Sequence, residues 1–203
     1  NILKNTEMQD EVTKIVASSN RLGVLVNDIL VRKAGEGNFT YDRVYATTIH
    51  ELGHAAHWNL LGWTAVGSGV KMLNTDSRVR ETWADAVMQF AYRRKFNSGV
   101  ALNVGQTTPI TGRPTGPWVG DHQQCDLTLN QLRNTDYVHT LGPDMWDNFN
   151  PGCGGITDNV SNIPLQDLYK SLKDARTWNE WRDEIIERNP GQAAEITAYF
   201  AQF

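Results

Sequence analysis

A chain of 203 residues, 40% hydrophobic and 21% charged, is long enough to bury one core of fair size, and its composition excludes collagen-like, disordered and coiled-coil architectures. The net charge of −4 and a pI near 5.7 leave no basic surface to neutralise a phosphate backbone, so no nucleic acid partner is expected. No apolar run approaches the roughly 18 residues of a spanning helix, so no membrane-spanning segment is expected either.

Thr6 to Asn20 predicts a first helix, with capping-box spacing between Thr6 and Gln9 and an apolar stripe through Met8, Val12, Ile15 and Val16. Gly23 to Lys33 is apolar and β-branched and predicts a strand, with a kink at Asn27-Asp28, followed by a turn over Ala34 to Asn38. Asp42 to Leu61 predicts a second helix, with Asp42 as its cap and Gly62 at its end. Gly62 to Thr75 is a connector. Ser77 to Asn97 predicts a third helix, capped by Asp76 or Ser77, with Val79, Trp83, Val87 and Phe90 as its core stripe. Ser98 to Gln124 is rich in Gly, Pro and Thr and reads as a long irregular segment. A short helix over Leu127 to Asn134 and a loop over Thr140 to Asn162 follow. The tail predicts helices over Pro164–Ala175, Trp178–Arg188 and Gln192–Phe203. No composition break divides the chain, which reads as one domain over 1–203 or as a piece of something longer.

The chemistry begins in the second helix, where Thr48 onward reads TIHELGHAAHW. His50 and His54 lie about 40° apart on one helical face, one turn along, so their imidazoles can reach a single zinc ion. Glu51, rotated by about 100°, can lean over the open coordination position and take a proton from the water that the metal polarises. With 5 His and 9 Glu in the chain, chance supplies this pattern roughly 0.5% of the time, so incidental histidines are the weaker explanation.

Zinc needs a third protein ligand. His57 shares the face but stands roughly 10 Å along the axis from His50, out of reach of the same ion, and is read as a packing or pocket-lining residue. The longer pattern H-E-x-x-H-x-x-G-x-x-H is excluded, because His57 and Leu60 stand where Gly and His are required. Glu81 is the better third ligand and Asp76 the runner-up. Glu81 and Asp85 form an E-x-x-x-D pair on one face of the third helix, offset from its core stripe. Asp85 is suited to accept the free N–H of a ligand histidine and so fix its tautomer.

His50-Glu51-x-x-His54 followed by Glu81-x-x-x-Asp85 resembles the gluzincin group of zinc metallopeptidases, the thermolysin-like and aminopeptidase-like clan. The likeness runs from Val31 to Arg93 and rests on five identities. It implies His50, His54 and Glu81 as Zn2+ ligands, Glu51 as general base, Asp85 as partner of a ligand histidine, and a peptide or protein as substrate. It also implies a sheet-edge strand before the active-site helix that holds the substrate by main-chain pairing, for which Gly23 to Lys33 is the candidate. The segment NTDYVHTLGP resembles the thermolysin-like stretch that carries the oxyanion-stabilising histidine, implying His139 first and Tyr137 second; His122 is a weaker candidate. The chain departs from the group in having only 49 residues before His50, room for one helix and one or two strands.

The fold expected is α+β and mostly α: a zincin-like domain with a small N-terminal sheet, the His50/His54 helix, the Glu81 helix and a helical C-terminal part. Trp118 and Trp146 stand where they can line a cleft, although core packing accounts for most tryptophans. The Asp- and Asn-rich stretch from Asp144 to Asn159 lacks the spacing of a calcium loop and reads as turn chemistry. Cys125 and Cys153 read either as one bridge or as two buried thiols; the bridged reading, together with the peptidase resemblance, points to a secreted or cell-surface location. Zinc-dependent hydrolysis of peptide bonds is the reading; hydrolysis of a glycopeptide or other amide, and a zinc-containing binding module without turnover, are the alternatives.

Overall fold

The computed structural model describes residues 14–18, 28–32, 41–62, 70–96, 130, 133, 141–146 and 156–203. They are mostly helical. Strands β1 (Lys14–Ser18) and β2 (Asp28–Arg32) pair antiparallel with Val16 opposite Leu30, and β1 lies against the helix over Tyr41–Leu60. The helix expected over Thr6–Asn20 is therefore corrected at Lys14–Ser18, which is extended. Ile15 and Val16 are β-branched and suit a pleated surface, and the ladder with DILVR outweighs a helical stripe. β2 falls inside the strand expected over Gly23–Lys33.

Helix α1 (Tyr41–Leu60) differs from expectation by one residue at each end. Its inner face runs through Ala46, Gly53 and His57, all buried at helical spacing, while Leu52 and Asn59 face outward. Gly62, at φ 120°, takes the left-handed conformation that ends the helix. Val70 to Leu73, expected as connector, are helical.

Helix α2 (Ser77–Phe96) begins where Asp76 caps it: the Asp76 carboxylate accepts the Arg78 amide at 2.9 Å and its carbonyl accepts the Arg80 amide at 3.2 Å. From Thr82 to Ala86 every residue is buried, because α2 is covered on two sides. Val79 and Trp83 enter the main core, with Val87 and Phe90 packed against it. Thr82, Asp85 and Gln89 are polar yet buried, a departure from the one-sided stripe that the sequence predicts.

Helix α3 (Leu141–Trp146) occupies part of the stretch expected as loop. Gly142 lets α3 approach α2 closely; a Cβ there would stand 2.4 Å from the Ala86 Cβ and 2.5 Å from its Cα. Trp146 lies in the core, as core packing accounts for most tryptophans, and not in a cleft; it meets Phe90 edge-to-face at 5.5 Å. Asp158 does follow turn chemistry, accepting the Val160 amide at 2.9 Å.

The C-terminal part consists of α4 (Leu165–Ser171), α5 (Trp178–Arg188) and α6 (Ala193–Phe200), with a single 3₁₀ turn over Pro190–Gln192. Thr177 and Glu180 form a full capping box at the start of α5. Fully buried Trp181 donates its indole N–H to Ser171 Oγ at 2.8 Å, and Ser171 donates in turn to the Leu168 carbonyl at 2.7 Å, so both buried polar groups are satisfied. The Tyr199 hydroxyl donates to the buried Asp144 carboxylate, joining α6 to α3. Among the described residues no helix is long and apolar enough to cross a membrane.

Candidate metal centre

The sequence pattern of α1 and α2 becomes geometry where the two helices cross. Antiparallel packing sets Ala46 beside Met88 and Tyr92, Gly53 beside Ala84, and His54 beside Glu81. Contact is close at Gly53, where a Cβ would stand 2.9 Å from the Ala84 Cα. That approach brings side chains from the two helices to one point. His50 Nε2 lies 3.3 Å from Glu81 Oε2, His54 Nε2 lies 3.2 Å from the same oxygen, and the two Nε2 atoms are 3.2 Å apart. The imidazoles stand edge-to-face, 85° between planes. Among the described residues this is the one group of three or more metal-ligating side chains whose donor atoms converge.

Asp85 fixes the first of these histidines. Its Oδ1 accepts from His50 Nδ1 at 2.9 Å, and the carboxylate is almost fully buried, 4% exposed, behind the ring. A carboxylate has no proton to give, so His50 Nδ1 carries the hydrogen of this contact, and Nε2 is the atom that faces Glu81 and His54. Three contacts at hydrogen-bonding distance converge at this point. Burial raises the Glu81 carboxyl, but its contacts with His50 and His54 outweigh burial and hold it well below the usual carboxylate range. Glu81 is an anion facing two imidazole nitrogens.

This donor set fits zinc. Tetrahedral ligands at about 2.0–2.1 Å from a zinc ion stand about 3.3 Å from one another. The three donor pairs here measure 3.2, 3.2 and 3.3 Å. Two nitrogens and one carboxylate oxygen make a neutral-neutral-anionic set that leaves a fourth position for a non-protein ligand. Asp85 stands behind His50 as a carboxylate stands behind a ligating histidine in zinc sites.

The remaining sequence candidates fall as follows. Glu51 is half-buried on α1 beside His50, and among the described residues no side chain pairs with its carboxylate. Asp76, the runner-up ligand, has its carboxylate engaged at the cap of α2 and does not belong to the donor group. His57 is fully buried, as a packing residue should be, and among the described residues neither ring nitrogen has a hydrogen-bond partner. Burial, then the charges of His54, Arg176 and Arg80, pushes its pKa down to about 3, so it is neutral. His139, Tyr137, His122, Trp118 and the Cys125/Cys153 pair lie outside the described residues.

The sequence assigned Trp83 to the core stripe alone. It also donates its indole N–H to the Gly53 carbonyl at 2.9 Å, in the middle of the His50–His54 turn. The available signal was chemical: a buried indole N–H needs an acceptor, and the stripe offers none.

No family model, curated protein or solved structure matches this chain.

Proposed function

We propose that this chain is a zinc-dependent hydrolase of peptide bonds on the gluzincin pattern, with His50, His54 and Glu81 as ligands and Glu51 as general base. One observation carries the reading: two imidazole nitrogens and a carboxylate oxygen from two helices meet at tetrahedral spacing, with Asp85 holding the first of them. When bound, zinc supplies a Lewis acid that polarises a carbonyl and lowers the pKa of water. Glu51 accepts the proton of the attacking water at its carboxylate and passes it to the departing amine nitrogen. Asp85 keeps His50 in one tautomer, so this ring neither rotates nor changes its donor nitrogen during turnover. His139, with Tyr137 second, is proposed to hold the oxyanion, and Gly23 to Lys33 to pair with the substrate main chain within a zincin-type sheet.

Glu51→Gln is the test. The side chain keeps its size and loses its basicity, so the variant should retain one zinc per chain while peptide cleavage falls by about a hundredfold or more. A variant that cleaves as fast as the parent removes Glu51 from proton transfer. A zinc-loaded parent that hydrolyses neither peptides nor other amides supports the binding-module alternative instead.

A further inference from the structure

Two aromatic side chains from different parts of the chain reach the backbone of the helix that carries His50 and His54. Trp83 of α2 donates its indole N–H to the Gly53 carbonyl at 2.9 Å, and Tyr169 of α4 donates its hydroxyl to the Ala56 carbonyl at 3.2 Å. The rings stack on each other, centroids 5.5 Å apart and 30° between planes. The two carbonyls are three residues apart and therefore on one side of α1. Both lie within or next to the turn that bears the ligand histidines. Gly53, without a side chain, and Ala56, with a small one, leave this backbone open to approach.

The placement of the first bond matters most. Gly53 stands between His50 and His54, and Trp83 stands between Glu81 and Asp85. One hydrogen bond thus joins the centre of one ligand-bearing stretch to the centre of the other. Trp83 is 2% exposed, so its N–H has no water to fall back on and the bond is held. A carbonyl oxygen has two lone pairs and can accept the indole while keeping its helical partner. Sliding or rolling α2 against α1 strains this bond together with the contacts of Glu81 to the histidines. Tyr169 limits the same motion from α4, because it is stacked on Trp83 and anchored to α1 independently.

We propose that Trp83 and Tyr169 are positioning residues for the metal centre, a stacked pair that holds Glu81 in register with His50 and His54 and makes ion affinity depend on α4. The inference rests on the metal reading above. A centre whose donors stand 3.2–3.3 Å apart tolerates little displacement, and functional geometry has to be held to about 0.5 Å by its supporting residues.

The experiment compares Tyr169→Phe, Trp83→Phe and, as a control, Trp178→Phe in the full chain. Trp178 also donates an indole N–H to a carbonyl, that of Phe200 at 3.3 Å, but within the C-terminal core. Zinc affinity is read by competition with a chromophoric chelator well below each melting temperature. The visible spectrum of the cobalt-substituted protein reports ligand geometry. Tyr169→Phe keeps the stacked ring and should weaken zinc binding roughly threefold to tenfold with little loss of Tm; Trp83→Phe should weaken it by about tenfold or more and alter the cobalt bands. Trp178→Phe should lower Tm and leave both metal readouts unchanged. If Trp83→Phe does not fold, Tyr169→Phe carries the test alone. Metal affinities within about twofold of the parent, with superimposable cobalt spectra, overturn the positioning role and leave the pair as packing. A parent that binds neither ion overturns the metal reading and this inference with it, which separates the two failures.

Discussion

His57→Leu isolates the energetic effect of a buried imidazole beside the candidate centre. In the folded chain His57 is fully buried with its pKa pushed down to about 3, first by burial and then by the charges of His54, Arg176 and Arg80. In the unfolded chain an imidazole titrates near 6.5. Between these values the unfolded chain binds a proton that the folded chain excludes, so the parent loses stability as pH falls, by about 1.4 kcal/mol per pH unit. The whole window from 6.5 to 3 amounts to roughly 5 kcal/mol, and the accessible part from about 6.5 to about 5 to roughly 2 kcal/mol. Leucine has no proton to gain. At neutral pH it also removes two buried nitrogens that have no partner among the described residues, so the variant should be at least as stable as the parent. Urea unfolding of both proteins in chelator, from about pH 7.5 to about pH 5, gives the stability gap; titrations common to the two proteins cancel in it to first order. The gap should be flat above about pH 6.5 and widen in favour of leucine by roughly 2 kcal/mol at about pH 5. A gap constant to within about 0.5 kcal/mol across that range refutes the reasoning, because His57 must then be free to take up its proton.

Three further outcomes are expected. Gly53→Ala places a Cβ 2.9 Å from the Ala84 Cα, so the two helices that carry the candidate donors must part; stability should fall by about 1–3 kcal/mol, and zinc affinity, measured by chelator competition, should fall with it. Asp85→Asn should weaken zinc binding by about tenfold to a hundredfold while Glu51→Gln leaves it unchanged, since only Asp85 bonds a candidate ligand. Thr177→Ala should cost about 1 kcal/mol in urea unfolding with zinc affinity intact, because the hydrogen bonds of the α5 capping box are made with Glu180 and not with the donors.

The parts of the site that the sequence disclosed are those that helical periodicity converts directly into space. His50 with His54, and Glu81 with Asp85, each share a face by spacing alone, and Val79 and Trp83 mark the face that enters the core. Capping was legible for the same reason at Asp76, where a side chain meets an amide two residues on. What stayed hidden depends on contacts between distant segments. Ile15 and Val16 suit a helical stripe or a strand, and the choice falls to β2. Leu141–Trp146 reads as loop because Gly142 and Pro143 usually interrupt structure. Here Pro143 sits in the first turn, where a missing N–H costs nothing, and Gly142 serves close packing on Ala86. The Trp83 and Tyr169 bonds to α1 span 30 and 113 residues, beyond any local pattern.

Zinc stoichiometry of the purified chain and of two single variants addresses the donor triangle most directly. After zinc loading and removal of excess ion, the parent should retain one zinc per chain, Asp76→Ala should retain the same, and Glu81→Ala should lose most of it. Equal retention by Glu81→Ala and the parent, or loss confined to Asp76→Ala, contradicts the assignment of Glu81 as the third ligand.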